Sequence, residues 1–171
     1  MIDVMDIEVF PPNKLLWRDR RLRCVLGRGG AKVNKQEGDG ATPIGRWPMR
    51  RVMYRPDRIA APQTGLGVHA LTPDDGWCDD PAHPAYNTQI KRPFAASYEA
   101  LWREDAVYDL IIILGHNDQP PMAGLGSAIF MHAAQPGFTP TEGCVALALS
   151  DLIGVIEDCD SASYVVIHPP A

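Results

Sequence analysis

Ile129-Phe130-Met131-His132 and, beyond a broken segment, Thr141-Glu142-Gly143-Cys144-Val145-Ala146-Leu147 form the stretch on which the reading of this chain depends. Both pieces are short apolar runs, the signature of buried strands. Eleven residues separate His132 from Cys144 and include Pro136, Gly137, Pro140 and Gly143, so the connection is expected to be a loop that turns the chain back. Two neighbouring strands would then bring the imidazole and the thiol together. A cysteine attacks a carbonyl carbon well only as its thiolate, and a histidine within reach can take the proton. Gly143 would let the backbone approach a substrate, and the Gly143 and Cys144 amides could face an oxygen gaining charge.

Further strands are expected at Asp6 to Phe10, Lys14 to Trp17, Arg21 to Leu26, Gly45 to Tyr54, Tyr108 to Leu114, Ser127 to His132, Cys144 to Leu149 and Ser163 to His168. Sixteen prolines and fifteen glycines exclude long helices, and the class expected is mainly β, a sandwich or barrel-like core. Two short helices are expected. Phe94 to Ala106 carries Phe94, Tyr98, Leu101 and Trp102 at helical spacing, and Asp151 to Cys159 places Leu152, Val155 and Ile156 on one face behind Ser150 as N-cap. Leu110 to Leu114 is apolar at every position, which predicts a central strand covered on both sides. The loop Gly115 to Gly124 follows it, so His116 and Asn117 are candidates to line a site, and His69 in Gly67-Val68-His69 is another.

At 171 residues the chain is expected to form one domain, and a formal net charge of −5 argues against a nucleic-acid surface. No apolar run has the length of a transmembrane helix, and Met1 to Asp6 has neither the basic start nor the apolar core of a leader peptide. A monomer is expected. The five histidines are dispersed, so neither a metal nor another cofactor is predicted. Of the four cysteines, Cys24 and Cys159 read as packing residues, while Cys78 sits beside Asp79 and Asp80, whose charge disfavours a thiolate. No cysteine spacing indicates a disulfide.

The histidine followed at a distance by Thr141-Glu142-Gly143-Cys144 and an apolar strand resembles the catalytic motif of the L,D-transpeptidase catalytic domain family, the YkuD-type enzymes of bacterial peptidoglycan. Lys35-Gln36-Glu37-Gly38-Asp39-Gly40-Ala41-Thr42-Pro43-Ile44-Gly45 is similar to the family's early turn, and Gly76-Trp77-Cys78-Asp79-Asp80-Pro81 with Tyr86-Asn87 is similar to a segment of one branch. The resemblance runs from about Arg21 to His168, and departs from the commoner pattern at Glu142, often a histidine, and at Ala146, often an arginine.

The resemblance implies a cysteine acyltransferase. Cys144 would attack a donor stem peptide of peptidoglycan, His132 would shuttle the proton, and the Gly143 amide would help to hold the oxyanion. The side-chain amine of a diaminopimelate on a second stem would then take the acyl group, forming a 3,3 or 1,3 crosslink. Thr141, Glu142, His116, Asn117 and His69 are the candidate substrate contacts. The same chemistry with water as acceptor gives a carboxypeptidase or amidase, and an inert thiol would instead mean a wall-peptide binding module. The substrate implies a periplasmic or envelope location.

Overall fold

Short apolar runs cut by proline and glycine can bury themselves only by pairing with one another, and this sequence does so in three sheets. The computed structural model describes residues 6–171; the N-terminal stretch read for a leader lies, but for Asp6, outside the described residues. In chain order the strands are β1 Ile7–Phe10, β2 Lys14–Trp17, β3 Arg20–Val25, β4 Ala31–Lys32, β5 Thr42–Pro43, β6 Gly45–Tyr54 and β7 Val68–Ala70. They continue as β8 Asp75–Cys78, β9 Gln89–Lys91, β10 Tyr98–Ala100, β11 Leu110–Leu114, β12 Phe130–Ala133 and β13 Val145–Leu147. The helix α1 Leu149–Ile156 and the strand β14 Tyr164–Ile167 complete the described chain.

Nine strands form one sheet in the order β11-β12-β13-β3-β2-β1-β14-β6-β7, and a further β11–β6 pairing closes it into a barrel-like ring. A three-stranded sheet, β10-β8-β9, and the pair β4-β5 are separate. Period-two alternation divides the side chains of the closed sheet between two cores. Leu110, Ile112, Met131, Val145 and Leu147 join Ile7, Leu15 and Val165 in one, to which α1 adds Leu152, Val155 and Ile156. Ile111, Ile113, Phe130 and Cys144 face the other, where Trp77, Leu101 and Tyr108 cover them. Leu110–Leu114 is therefore buried on both faces, as its unbroken apolar run requires.

The helix expected over Phe94 to Ala106 does not form, and α1 is the one α-helix among the described residues. The apolar spacing there serves separate partners. Tyr98 and Glu99 pair with Cys78 and Trp77 of β8, Leu101 is fully buried in the outer core, and Trp102 lies under the Arg55 guanidinium, 3.6 Å from its ring centroid. An open strand edge on β8 thus overrides helical periodicity. The second expected helix exists but begins earlier, at Leu149, with Ala148 as N-cap and no side-chain cap; Ser150 lies inside its first turn. The strand expected from Ser127 starts only at Phe130, because Ala128 takes φ of 55° and breaks the extended chain. No helix of the described residues is long and apolar enough to cross a membrane.

Ile112 is fully buried at the middle of the closed sheet. Ile112→Ala should lower stability by about 2–5 kcal/mol in urea denaturation, and a loss under about 1 kcal/mol would contradict this placement.

Candidate active site

The loop after β12 returns the chain so that β13 runs parallel to β12, not antiparallel as a simple turn back would give. Met131 pairs with Val145 and His132 with Ala146, which sets Cys144 level with Phe130. In a parallel pair, residues at one level face the same way, so His132 and Cys144 share the outer face of the sheet, offset by two residues. Both open into one cleft of about 410 Å³.

Each side chain is held by backbone. The Phe130 amide donates to Cys144 Sγ at 3.4 Å, and the thiol donates to the Ala128 carbonyl at 3.2 Å. His132 Nδ1 lies 2.8 Å from the Ala133 carbonyl, so that nitrogen carries the proton and Nε2 is left as the basic atom. Tyr108 meets the His132 ring edge-on at 5.3 Å between centroids. The imidazole is therefore oriented by a backbone carbonyl and an aromatic edge.

Burial dominates the electrostatics. It pushes the Cys144 thiol up to about 12, with the Glu99 charge adding to the rise and the Phe130 amide and Lys35 opposing it. Burial likewise brings His132 down to about 4, against the Ala133 carbonyl, which favours the imidazolium. At neutral pH the pair is thus thiol and imidazole, not a preformed ion pair, and attack by this sulfur would require the proton to move with it. Cys24 is pushed up to about 12 and Cys159 to about 11 by the same cause. All four cysteines are free and buried; what sets Cys144 apart is a histidine in the same cleft, not its acidity.

Asn87 anchors the wall behind the thiol. Its Oδ1 accepts from Trp77 Nε1 at 2.9 Å and from the Ala128 amide at 3.0 Å, while Nδ2 donates to the His116 and Asn117 carbonyls at 3.1 and 2.7 Å. Ala128, which accepts the thiol hydrogen, therefore keeps its unfavourable φ through the hydrogen bond of its amide to Asn87, in the connection between β8 and β9. Next to Asn87 and Ala128 along the chain, the Tyr86 and Ser127 hydroxyls donate to the Glu37 carboxylate at 2.6 Å each. Burial would raise Asp39, but Lys35 at 2.6 Å and the Ala41 and Gln36 amides outweigh it and hold the carboxyl at about 2.

Of the residues singled out in the sequence, Cys144, His132, Thr141 and Glu142 line the cleft. Thr141 Oγ1 donates to the Cys144 carbonyl at 2.6 Å and accepts the Gly143 amide at 3.1 Å. The Gly143 amide thus has an intramolecular partner, and Gly143 itself, at φ of 139°, packs where a Cβ would meet the Ala41 carbonyl at 2.8 Å. The close approach that demands glycine is to the Ala41 turn. Glu142 is 78% exposed and forms an ion pair with Arg28 at 3.0 Å.

His116, Asn117 and His69 do not line the cleft. His116 is buried edge-on against Trp47 at 4.7 Å, with no partner for Nδ1. Asn117 closes its own loop, donating to the Met122 and Gly126 carbonyls at 3.0 and 2.9 Å and accepting the Met122 amide at 2.9 Å. His69 is exposed on β7, which pairs with β6. Conversely, Lys35, Glu37, Glu99, Arg103 and Tyr108 line the cleft without having been singled out as site residues. Lys35 and Glu37 directly precede the Gly38-Asp39-Gly40 turn, which was their available signal; Glu99 was hidden by the helical reading of its segment.

A family model described as YkuD, the L,D-transpeptidase catalytic domain, matches residues 5–167. The chain belongs to this family, whose members are cysteine-dependent and act in peptidoglycan metabolism. Comparison with curated proteins and with solved structures found no match.

Burial lowers both His132 and His116 from 6.5 to about 4. Below the unfolded value the unfolded chain binds protons that the folded protein refuses, so stability is full above about pH 6.5 and falls as pH drops toward 4. The two shifts together should remove several kcal/mol, on the order of 3 per histidine. Denaturation midpoints at stepped pH check this, and His116→Phe should flatten the dependence over that window.

Proposed function

We propose that this protein is a peptidoglycan L,D-transpeptidase in which Cys144 is the nucleophile and His132 the general base and acid. The observation that carries the reading is the shared cleft face of His132 and Cys144, with His132 Nδ1 held by the Ala133 carbonyl and Nε2 left to take a proton. Cys144 Sγ attacks a peptide carbonyl of a donor stem as His132 Nε2 receives the thiol proton, and the imidazolium returns it to the departing amine. Because the Gly143 amide is bonded to Thr141, the oxyanion is assigned first to the Cys144 amide. The diaminopimelate side-chain amine of an acceptor stem then attacks the thioester and forms a 3,3 or 1,3 crosslink. Such a substrate places the activity in the cell envelope.

Incubation with purified disaccharide-peptides, followed by mass spectrometry, tests this. Wild type should give crosslinked dimers that Cys144→Ala does not; shortened monomers alone would assign the hydrolytic activity instead, and no change in either would reject catalysis. His132→Ala should slow acylation by about 100-fold or more. Since His132 is held neutral down to about 4, the single-turnover acylation rate should hold until pH approaches that value as it is lowered. An acid limb centred at the ordinary histidine value of about 6.5 would contradict His132 as the base in this geometry.

A further inference from the structure

The cleft holds a carboxylate with no role in thioester formation. Glu99, on β10, lines it together with Cys144 and His132, and accepts the Tyr108 hydroxyl as its hydrogen-bond donor. Tyr108 in turn sets its ring edge against His132. The nearby cations are committed elsewhere: Lys35 Nζ to Asp39 at 2.6 Å and Arg103 to Asp105 at 2.6 Å. Among the described residues, no lysine, arginine or histidine nitrogen lies within 4.0 Å of a Glu99 oxygen. Of the other acids of the cleft, Glu37 and Asp79 also accept hydroxyls, Glu37 from Tyr86 and Ser127 and Asp79 from Ser97 at 2.6 Å, and Glu142 is paired with Arg28 at 3.0 Å.

We propose that Glu99 receives the ammonium group of the acceptor and removes one of its protons, which makes it a catalytic residue of the transfer step alone. This rests on the transpeptidase reading above. An amine reaches a cleft at neutral pH as R–NH3+, which has no lone pair with which to attack. Glu99 takes one proton and becomes a neutral acid, and the freed nitrogen attacks the thioester carbonyl. The C–N bond forms and the C–S bond breaks; the nitrogen's second surplus proton passes through His132 to the departing sulfur, leaving an amide, a Cys144 thiol and protonated Glu99. Charge balances at zero on both sides, and Glu99 then releases its proton to solvent.

The surroundings suit that task. Burial raises the Glu99 carboxyl above its ordinary range, and Asp79 and Glu37 push the same way, while the Tyr108 hydroxyl and Arg103 oppose them. A carboxylate so placed is a stronger base and a stronger partner for an incoming cation than one in water. Glu99 and Cys144 line the same cleft, so a cation seated on the carboxylate enters the cleft that holds the reacting sulfur.

The test separates acylation from transfer. Cys144 is acylated with a disaccharide-tetrapeptide donor, followed by intact mass, and the thioester is then offered either a diaminopimelate-bearing acceptor or hydroxylamine, which is neutral at about pH 7. In Glu99→Gln, acylation and transfer to hydroxylamine should run at or above the wild-type rate, because the charge that adds to the rise of the Cys144 thiol is gone, while transfer to the diaminopimelate acceptor should fall about 100-fold and hydrolysed donor should accumulate. Tyr108→Phe, which keeps the ring and removes the donor that holds the Glu99 carboxyl down, should raise the pH at which transfer to the diaminopimelate acceptor sets in and so change the partition. Equal rates with both nucleophiles in Glu99→Gln, or parallel loss of acylation, would overturn the role of Glu99; if that variant does not fold, an unchanged partition in Tyr108→Phe would do so. A wild type that forms no Cys144 adduct would overturn the transpeptidase reading itself, and the Glu99 role with it.

Discussion

The site rests on the parallel pairing of β12 with β13 and on its register. A shift of that register by one residue would turn Cys144 toward the inner core, where Val145 and Leu147 now sit, and leave His132 facing the cleft without a partner. The register is held from both sides. Phe130 pairs with Ile113 of β11, and Leu147 with Cys24 of β3, so neither β12 nor β13 is a free edge. Thr141 reinforces it beyond the strand end, exchanging backbone hydrogen bonds with Leu26 and Arg28 while its hydroxyl clamps the Cys144 carbonyl.

A second constraint follows from the same placement. The outer face that carries the thiol is also a core face, packed by Phe130, Trp77 and Tyr108, and a thiol kept there is desolvated. Desolvation disfavours the thiolate and the imidazolium together, so the resting site is a neutral pair. Its reactivity is tied to proton transfer during attack, as in a serine–histidine pair. The charged groups of the cleft lie along its walls, half of them in ion pairs: Lys35 with Asp39, Arg103 with Asp105 and Glu142 with Arg28.

The class of fold was legible because it depends on local punctuation. Prolines and glycines cut the chain into strand-length pieces, and the all-apolar Leu110–Leu114 run marked the strand between two cores. The segment from Phe94 to Trp102 was misread because its periodicity is a coincidence of three partners: the open edge of β8, the outer core and the Arg55 guanidinium. The short strands β4, β5, β7, β9 and β10 carry too few residues to show a pattern of their own. They exist because a neighbouring edge needs its hydrogen bonds met.

At the site the division is sharper. By itself the sequence determined which residues are the candidates for chemistry and which family the chain resembles, since a motif is a matter of residue identity: His132, Thr141, Gly143 and Cys144 in that order, with the Gly38-Asp39-Gly40 turn upstream. Only the tertiary structure decided what those atoms face. It directed Glu142 to Arg28, the Gly143 amide to Thr141, His116 to Trp47 and Asn117 to its own loop, and it brought Glu99 and Tyr108 into the cleft. Each of these depends on a partner from another part of the chain, and a partner's direction is a property of sheet register and closure. Residue spacing along the sequence does not carry it.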